Sequence, residues 1–401
     1  YYFFIFLYPL NNSIAILNIN KYYFINPDGT LSEKGNHFSA NLFHHWEDNS
    51  YYMIEFIHSE AFKFTSIENI VGNSVFQDIL QGTTILLLVH ITEAYHYVID
   101  DIYQEISINQ KIPIENILYL TNSADINHEI DAISEKYNLP KMPSMHMSSF
   151  EFGAQCDFNR HMHLPNFSAI TLIDKEYTKK FLSLNGLWRP HRMLLGSFLT
   201  GFKIIDQGYV SLNCVTSEVP SSDVVFTAML DWCKNNYPAQ NILLENEDDI
   251  KKISKLFLDE VDNSRPAYSS LNKKYYEDTY FSIVTETLAW KEHSCGGITT
   301  GRALSEKTFK PILFKHPFML ISLPRSLQLL RDLGYKTFSE CIDESYDTEQ
   351  DDSKRVYMVA KEAERLCNLS TSELKDFLKI GREITNYNFE VLKNKQNFVY
   401  K

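Results

Sequence analysis

Short apolar blocks alternate with helical patterns twice along this chain, and nothing else in the sequence limits its fold as strongly. The first series opens with Thr84-Ile-Leu-Leu-Leu-Val-His90 after Gly82, and a helical pattern runs from Ala94 to about Ile108. Asn116-Ile-Leu-Tyr-Leu-Thr121 follows, then the loop Asn122-Ser-Ala-Asp125 and a helix-like stretch from Ile126 to Tyr137. A short continuous apolar run bounded by turn residues reads as a strand buried on both faces. Strands that each feed a helix build a parallel sheet of Rossmann type.

Between Lys141 and Pro165 the periodicity fails, and Met142, Met145, His146, Met147, His161 and His163 crowd together, which predicts a loop or an interdomain crossing. A second series then begins with Lys180-Phe-Leu-Ser-Leu-Asn185, a helix from about His191 to Phe202, and Tyr209-Val-Ser-Leu212. It continues with Tyr280-Phe-Ser-Ile-Val-Thr285, a helix near Glu306 to Phe314, Phe318-Met-Leu-Ile-Ser322, a helix over Ser326 to Leu333, and Phe338 in a further short element. From Asp351 to Asn397 the tail predicts long amphipathic helices, with Val356, Val359, Ala360, Ala363 and Leu366 at helical spacing. The expected fold class is therefore α/β, two Rossmann-like domains with C-terminal helices. A chain of 401 residues is long for one core. The expected division is 1–170, 171–380 and a C-terminal helix over 381–401, joined near residues 165 to 180.

A formal charge of -13 argues against a broad basic surface for nucleic acid, although a local basic cleft is compatible with it. Six cysteines lie scattered without a CxxC pair, as expected for thiols in a reducing compartment, and the cytosol is the expected location. The apolar opening Tyr1 to Leu10 contains Pro9 and is too short to span a membrane, so it reads as a buried first strand.

Two stretches place charge where strands give way to helices. In Leu184-Asn-Gly-Leu-Trp-Arg-Pro-His-Arg-Met193, Arg189, His191 and Arg192 stand at a helix start, where unpaired N–H groups and the helix dipole favour anions. Two guanidinium groups there add bidentate phosphate contacts. In Leu304-Ser-Glu-Lys-Thr-Phe-Lys-Pro-Ile312, Ser305 is a natural N-cap and Pro311 shortens or kinks the helix. Glu306 can accept the two hydroxyls of a ribose, and Lys307 can neutralise phosphates. Each stretch alone also fits an ordinary solvated helix start. Together they fall on βα units of one domain at the carboxyl ends of strands, where ligands of open α/β sheets bind.

The stretch Phe281-Ser-Ile-Val-Thr-Glu-Thr287, then Leu304-Ser-Glu-Lys-Thr-Phe-Lys-Pro311, then His316-Pro-Phe-Met-Leu-Ile321 resembles the nucleotide-binding core of α1,3-fucosyltransferases and exostosin-like glycosyltransferases. The resemblance covers about residues 180 to 345. It implies a GT-B architecture, with Glu306 on ribose, Lys307 on the diphosphate, and Arg192, beside Arg189, clamping the same diphosphate. Glu286 and Ser305 join the implied nucleotide-sugar set. Where the family has Glu-Asn-Ser, this chain has Glu286-Thr287-Leu288, and the glycine after the following strand is replaced by Ser322-Leu323-Pro324. The donor base stays open for that reason.

The implied activity is transfer of a sugar from a nucleotide diphosphate sugar to an acceptor hydroxyl, inverting and independent of metal, with the sugar nucleotide as donor substrate and no further cofactor. A carboxylate base from the first domain is implied too. Glu93, at the end of the first apolar strand, is its best match, and Glu151 is the reserve. Cys156, His161 and His163 have no fourth ligand and fit no common zinc pattern. No DxD-type pair stands where a metal-dependent enzyme needs it, for Asp100-Asp101 lies in a helical pattern and Asp351-Asp352 in a charged turn. GxGxxG and Walker A patterns are absent. Two alternatives stay open: a glycosyltransferase acting on hydroxymethylated DNA bases, against which the net charge weighs, and a non-catalytic binder of nucleotide sugars with the same fold.

Overall fold

The computed structural model describes residues 23–25, 31–33, 50–56, 62–63, 66–91, 97–161, 177–185, 189–212, 273–289 and 301–400. The expected strand over Tyr1 to Leu10 lies outside them. By compactness the chain divides into two units. One comprises Tyr1–Ser149, Gly296–Ala303 and Asn397–Lys401, and the other Phe150–Cys295 and Leu304–Gln396. These bounds differ from 1–170 and 171–380, since the second unit starts at Phe150 and takes in nearly all of the tail.

The strands of the first unit are β1 (Tyr23–Ile25), β2 (Leu31–Glu33), β3 (Ser50–Phe56), β4 (Thr84–His90), β5 (Ile117–Thr121), β6 (Ser144–Met147) and, from the end of the chain, β11 (Val399–Tyr400). Among the described residues they form one sheet in the order β2-β1-β3-β4-β5-β6-β11, parallel throughout except at the two edge pairs. The helices are α1 (Ile67–Val71), α2 (Asn73–Gln81), α3 (Tyr97–Asp101) and α4 (Ile126–Tyr137). Ile54, Leu86, Leu88, Ile102, Ile117, Tyr119 and Ile130 form one buried cluster, as a parallel sheet covered by helices requires. After α3 the helix widens into a π-helical turn over Ile102–Ile108, so the pattern expected from Ala94 is helical in its described part. Helix α4 ends on Asn138 in the left-handed conformation (φ 52).

At the carboxyl end of β5 the loop before α4 is filled by the chain itself. Asp125 accepts from the Arg302 N–H (2.8 Å), Nε (2.9 Å) and Nη2 (2.6 Å), and the Ala124 N–H donates to the Arg302 carbonyl (2.8 Å). Gly301 is required there, because a Cβ would collide with Ser123 Oγ and Glu129 Oε1.

The second unit holds α5 (Ser149–His161, from Phe150 on), β7 (Phe181–Asn185), α6 (Pro190–Gly201), β8 (Gly208–Leu212), α7 (Lys273–Glu277) and β9 (Phe281–Thr285). Then come α8 (Glu306–Leu313), β10 (Phe318–Ile321), α9 (Ser326–Asp332), α10 (Asp352–Cys367) and α11 (Thr371–Asn394). Among the described residues its sheet is all parallel in the order β10-β9-β7-β8. Phe181 and Phe281, paired across β7 and β9, stack at 6.0 Å, and Phe377 of α11 packs edge-on to Phe281. Gly208 lies opposite Phe181, whose ring leaves no room for a Cβ. Helix α10 starts on Asp351, which accepts from the N–H groups of Ser353 and Lys354, and α11 on a Ser370/Glu373 capping box.

Residues 141 to 165, expected to form a loop or an interdomain crossing, build β6 and α5 as far as His161, and the boundary between the two units, at Ser149 and Phe150, falls among them. The pattern misleads because α5 buries the Glu151 carboxylate beside Phe152, Ala154 and Phe158, and the partners of that carboxylate lie far along the chain. Phe338, expected in a short element, lies in a turn and fills the core.

Candidate functional site

Parallel strands bring the ends of β7 and β9 to one edge of the second sheet, and the starts of α6 and α8 meet there. Pro190 suits the first position of α6, with its fixed φ and no N–H to satisfy, and Arg189 before it is extended (φ -148, ψ 152). Within the same first turn, His191 and Arg192 are buried at 1% and 3% exposure. The Arg192 Nε donates to Thr285 Oγ1 (3.1 Å) and its Nη2 to the Thr285 carbonyl (3.3 Å). Burial and the neighbouring Arg189 pull Arg192 down to about 10, against the opposing pull of Glu286 and Glu306, so it remains a cation at neutral pH. His191 Nε2 donates to the Glu286 carbonyl (2.9 Å), which can only accept. Burial, then Arg192, hold this ring well below the usual histidine range and therefore neutral.

Glu286, the residue after β9, is 1% exposed, and its carboxylate serves the start of α8. It accepts the Ser305 N–H (2.9 Å), the Thr308 hydroxyl (2.5 Å) and the Ser305 hydroxyl. A carboxylate at a helix N-terminus is favoured by the dipole and satisfies N–H and hydroxyl groups the helix cannot. Ser305 is the N-cap, accepting from the Lys307 N–H. Next to it Lys307 Nζ bonds Glu306 (2.7 Å), Thr287 Oγ1 (3.1 Å) and Ser305 Oγ (3.3 Å). Glu306 and Lys307 keep 18% and 26% of their side chains in solvent. Burial raises the Glu306 carboxyl, but Lys307 and Lys310 outweigh it and hold the group at about 2, so it is a permanent acceptor.

Arg192, Glu286, Ser305, Glu306 and Lys307 are thus brought to one edge of one sheet. Arg189 lies near enough to Arg192 to depress its pKa. Positive charge, a helix start and an ionised acceptor at the carboxyl ends of parallel strands can hold a group that is anionic at one end and hydroxyl-bearing at the other.

Glu93 lies outside the described residues. Glu151, the reserve base, is 0% exposed in the second unit, where it accepts from the Tyr335 hydroxyl (2.6 Å) and pairs with Lys395 (2.5 Å). Among the described residues no group of three or more His, Cys, Asp or Glu could hold a metal ion, and no helix is long and apolar enough to cross a membrane.

Sequence reasoning missed Arg355. It is 1% exposed on α10 and binds the carbonyls of Ser322 (2.8 Å), Ala289 (2.9 Å) and Glu349 (2.8 Å) together with Asp352 (2.5 Å). It therefore ties the segments after β9 and β10 to one helix. The signal was in the sequence: a lone cation on the apolar face that also carries Val356 and Val359.

No protein-family model matches this sequence, and no curated protein matches it. Solved structures similar to it include an α,α-trehalose-phosphate synthase (UDP-forming) from Burkholderia vietnamiensis, 8% identical, with a TM-score of 0.38 over 87% of this chain and 74% of that one. A glycosyltransferase from Rickettsia africae ESF-5 is 9% identical, with a TM-score of 0.34 over 86% and 77%. A UDP-forming α,α-trehalose-phosphate synthase from Burkholderia xenovorans is 9% identical, with a TM-score of 0.38 over 87% and 75%. Similarity at this level assigns no activity.

Proposed function

We propose that the second unit binds a nucleotide diphosphate sugar and that the chain transfers the sugar to an acceptor hydroxyl. The observation that carries this is the gathering of Arg192, Ser305, Glu306 and Lys307, with Glu286 bracing the helix start, at the carboxyl edge of a parallel sheet. In this proposal Arg189, Arg192 and Lys307 meet the diphosphate, and Glu306 accepts the hydroxyls of the ribose. Transfer breaks the bond between the anomeric carbon and the diphosphate oxygen and forms one to the acceptor oxygen. The nucleoside diphosphate leaves with the bonding pair, and the acceptor's proton goes to a base. Glu93 is the proposed base, and an inverting, metal-independent course belongs to the same proposal. Cations around the leaving diphosphate stabilise the charge that develops on it.

A thermal-shift screen of UDP-, GDP-, CDP- and dTDP-sugars tests it. One nucleotide family at a hundred times its Kd should stabilise the protein by about 2.7 kcal/mol. No shift with any of them, at millimolar concentration, would overturn the proposal.

A further inference from the structure

A chain of buried polar groups crosses the second sheet and ends on Arg192. Ser211 on β8 accepts at its carbonyl from Asn185 Nδ2 on β7 (3.0 Å), and its Oγ accepts the Asn185 N–H (3.0 Å). Asn185 Oδ1 accepts the Thr285 hydroxyl on β9 (2.6 Å), and Thr285 Oγ1 accepts Arg192 Nε (3.1 Å). All four residues are at most 3% exposed. Each link has one direction. Asn185 Nδ2 can only donate and is directed at the Ser211 carbonyl and Ser183 Oγ, which turns Oδ1 toward Thr285. Thr285 must then donate to Asn185, and its oxygen is left to accept from the arginine.

We propose that Thr285, held by Asn185, is the positioning residue that sets the plane of the Arg192 guanidinium. Two contacts from one residue, Oγ1 to Nε and carbonyl to Nη2, fix both the position and the rotation of a planar group. They use two of its five N–H groups. The consequence for ligand binding rests on the proposed nucleotide site: a diphosphate meets an arginine already oriented, so less ordering is needed on binding.

Thr285→Val keeps the branched shape suited to a strand but removes the hydroxyl, whereas Thr285→Ser keeps it. Nitrogen-15 NMR of the Arg192 Nε–H needs no ligand. A protected signal is expected in the wild type and in Thr285→Ser, and its loss or broadening in Thr285→Val. Calorimetry with the sugar nucleotide that stabilises the protein should show roughly a tenfold to hundredfold weaker Kd for Thr285→Val, near wild-type affinity for Thr285→Ser, and little further loss when Thr285→Val is added to Arg192→Lys. An unchanged Nε–H signal in Thr285→Val overturns the inference, as does unchanged affinity. Loss of that signal in a protein that binds no sugar nucleotide leaves the orienting role standing and removes only the nucleotide site.

Discussion

The carboxyl edges of the two sheets dispose of buried charge differently. In the first unit Arg302 and Asp125 answer each other, and Gly301 closes the loop over Ser123 and Glu129, so the edge is filled by its own chain. In the second, two cations, Arg189 and Arg192, stand together near Glu286 and Glu306, while Lys307 and Glu306 keep 26% and 18% of their side chains in solvent, much as Arg302 and Asp125 do at 23% and 17%. The opposite, amino edge of the second sheet supplies a control. His316 there is buried between Thr279 and Ser282, bonding the Thr279 carbonyl (3.0 Å) and Ser282 Oγ (2.9 Å), with no charged partner among those contacts. This chain can end a sheet with neutral groups. Buried charge carries a desolvation penalty, and under the proposed function binding a charged ligand offsets it at the carboxyl edge.

The neutral edge has the largest expected effect. Burial, against opposing hydrogen bonds to the Thr279 and Pro317 backbone, holds His316 at about 4 instead of 6.5. The folded state keeps the ring neutral where the unfolded chain protonates it, so this stability is complete above pH 6.5 and is lost as pH falls toward 4. The total is about 3 kcal/mol. Urea titrations of the wild type and His316→Gln through that window should give a visibly shallower slope for the variant; equal slopes would mean that the amino edge is not held neutral.

A smaller effect is expected at the first unit's edge. Arg302→Ala should lower stability by about 2 kcal/mol, since it strips a partly buried carboxylate of its two charged side-chain donors, Nε and Nη2, and leaves only the backbone N–H. The denaturation midpoint measures this. No change would place Arg302 and Asp125 among the surface pairs that contribute little, and the contrast between the edges would fail.

Much of this was legible in the sequence because strands and helix starts are local. Phe281 to Thr285 is a compact apolar run, and Ser305-Glu306 carries a cap and a first-turn acid side by side, so β9 and α8 appear within a residue of where the structure has them. Helix α5 was illegible for the opposite reason. Its buried Glu151 is satisfied by Tyr335 and Lys395, far along the chain. Glu286 shows the same limit within the site: its position was readable, but its engagement with Ser305, 19 residues on, depends on the start of α8 lying beside the carboxyl end of β9. The pairing of Arg192 with Thr285, 93 residues apart, has no local signature either.

The central claim is that the second unit's carboxyl edge holds a nucleotide diphosphate. Calorimetry with the stabilising sugar nucleotide, on the wild type and on Glu306→Gln and Arg192→Lys variants shown to be folded, tests it most directly. Binding by the wild type, weakened roughly tenfold or more in each variant, is the expected result. Equal affinity in all three proteins would contradict the claim.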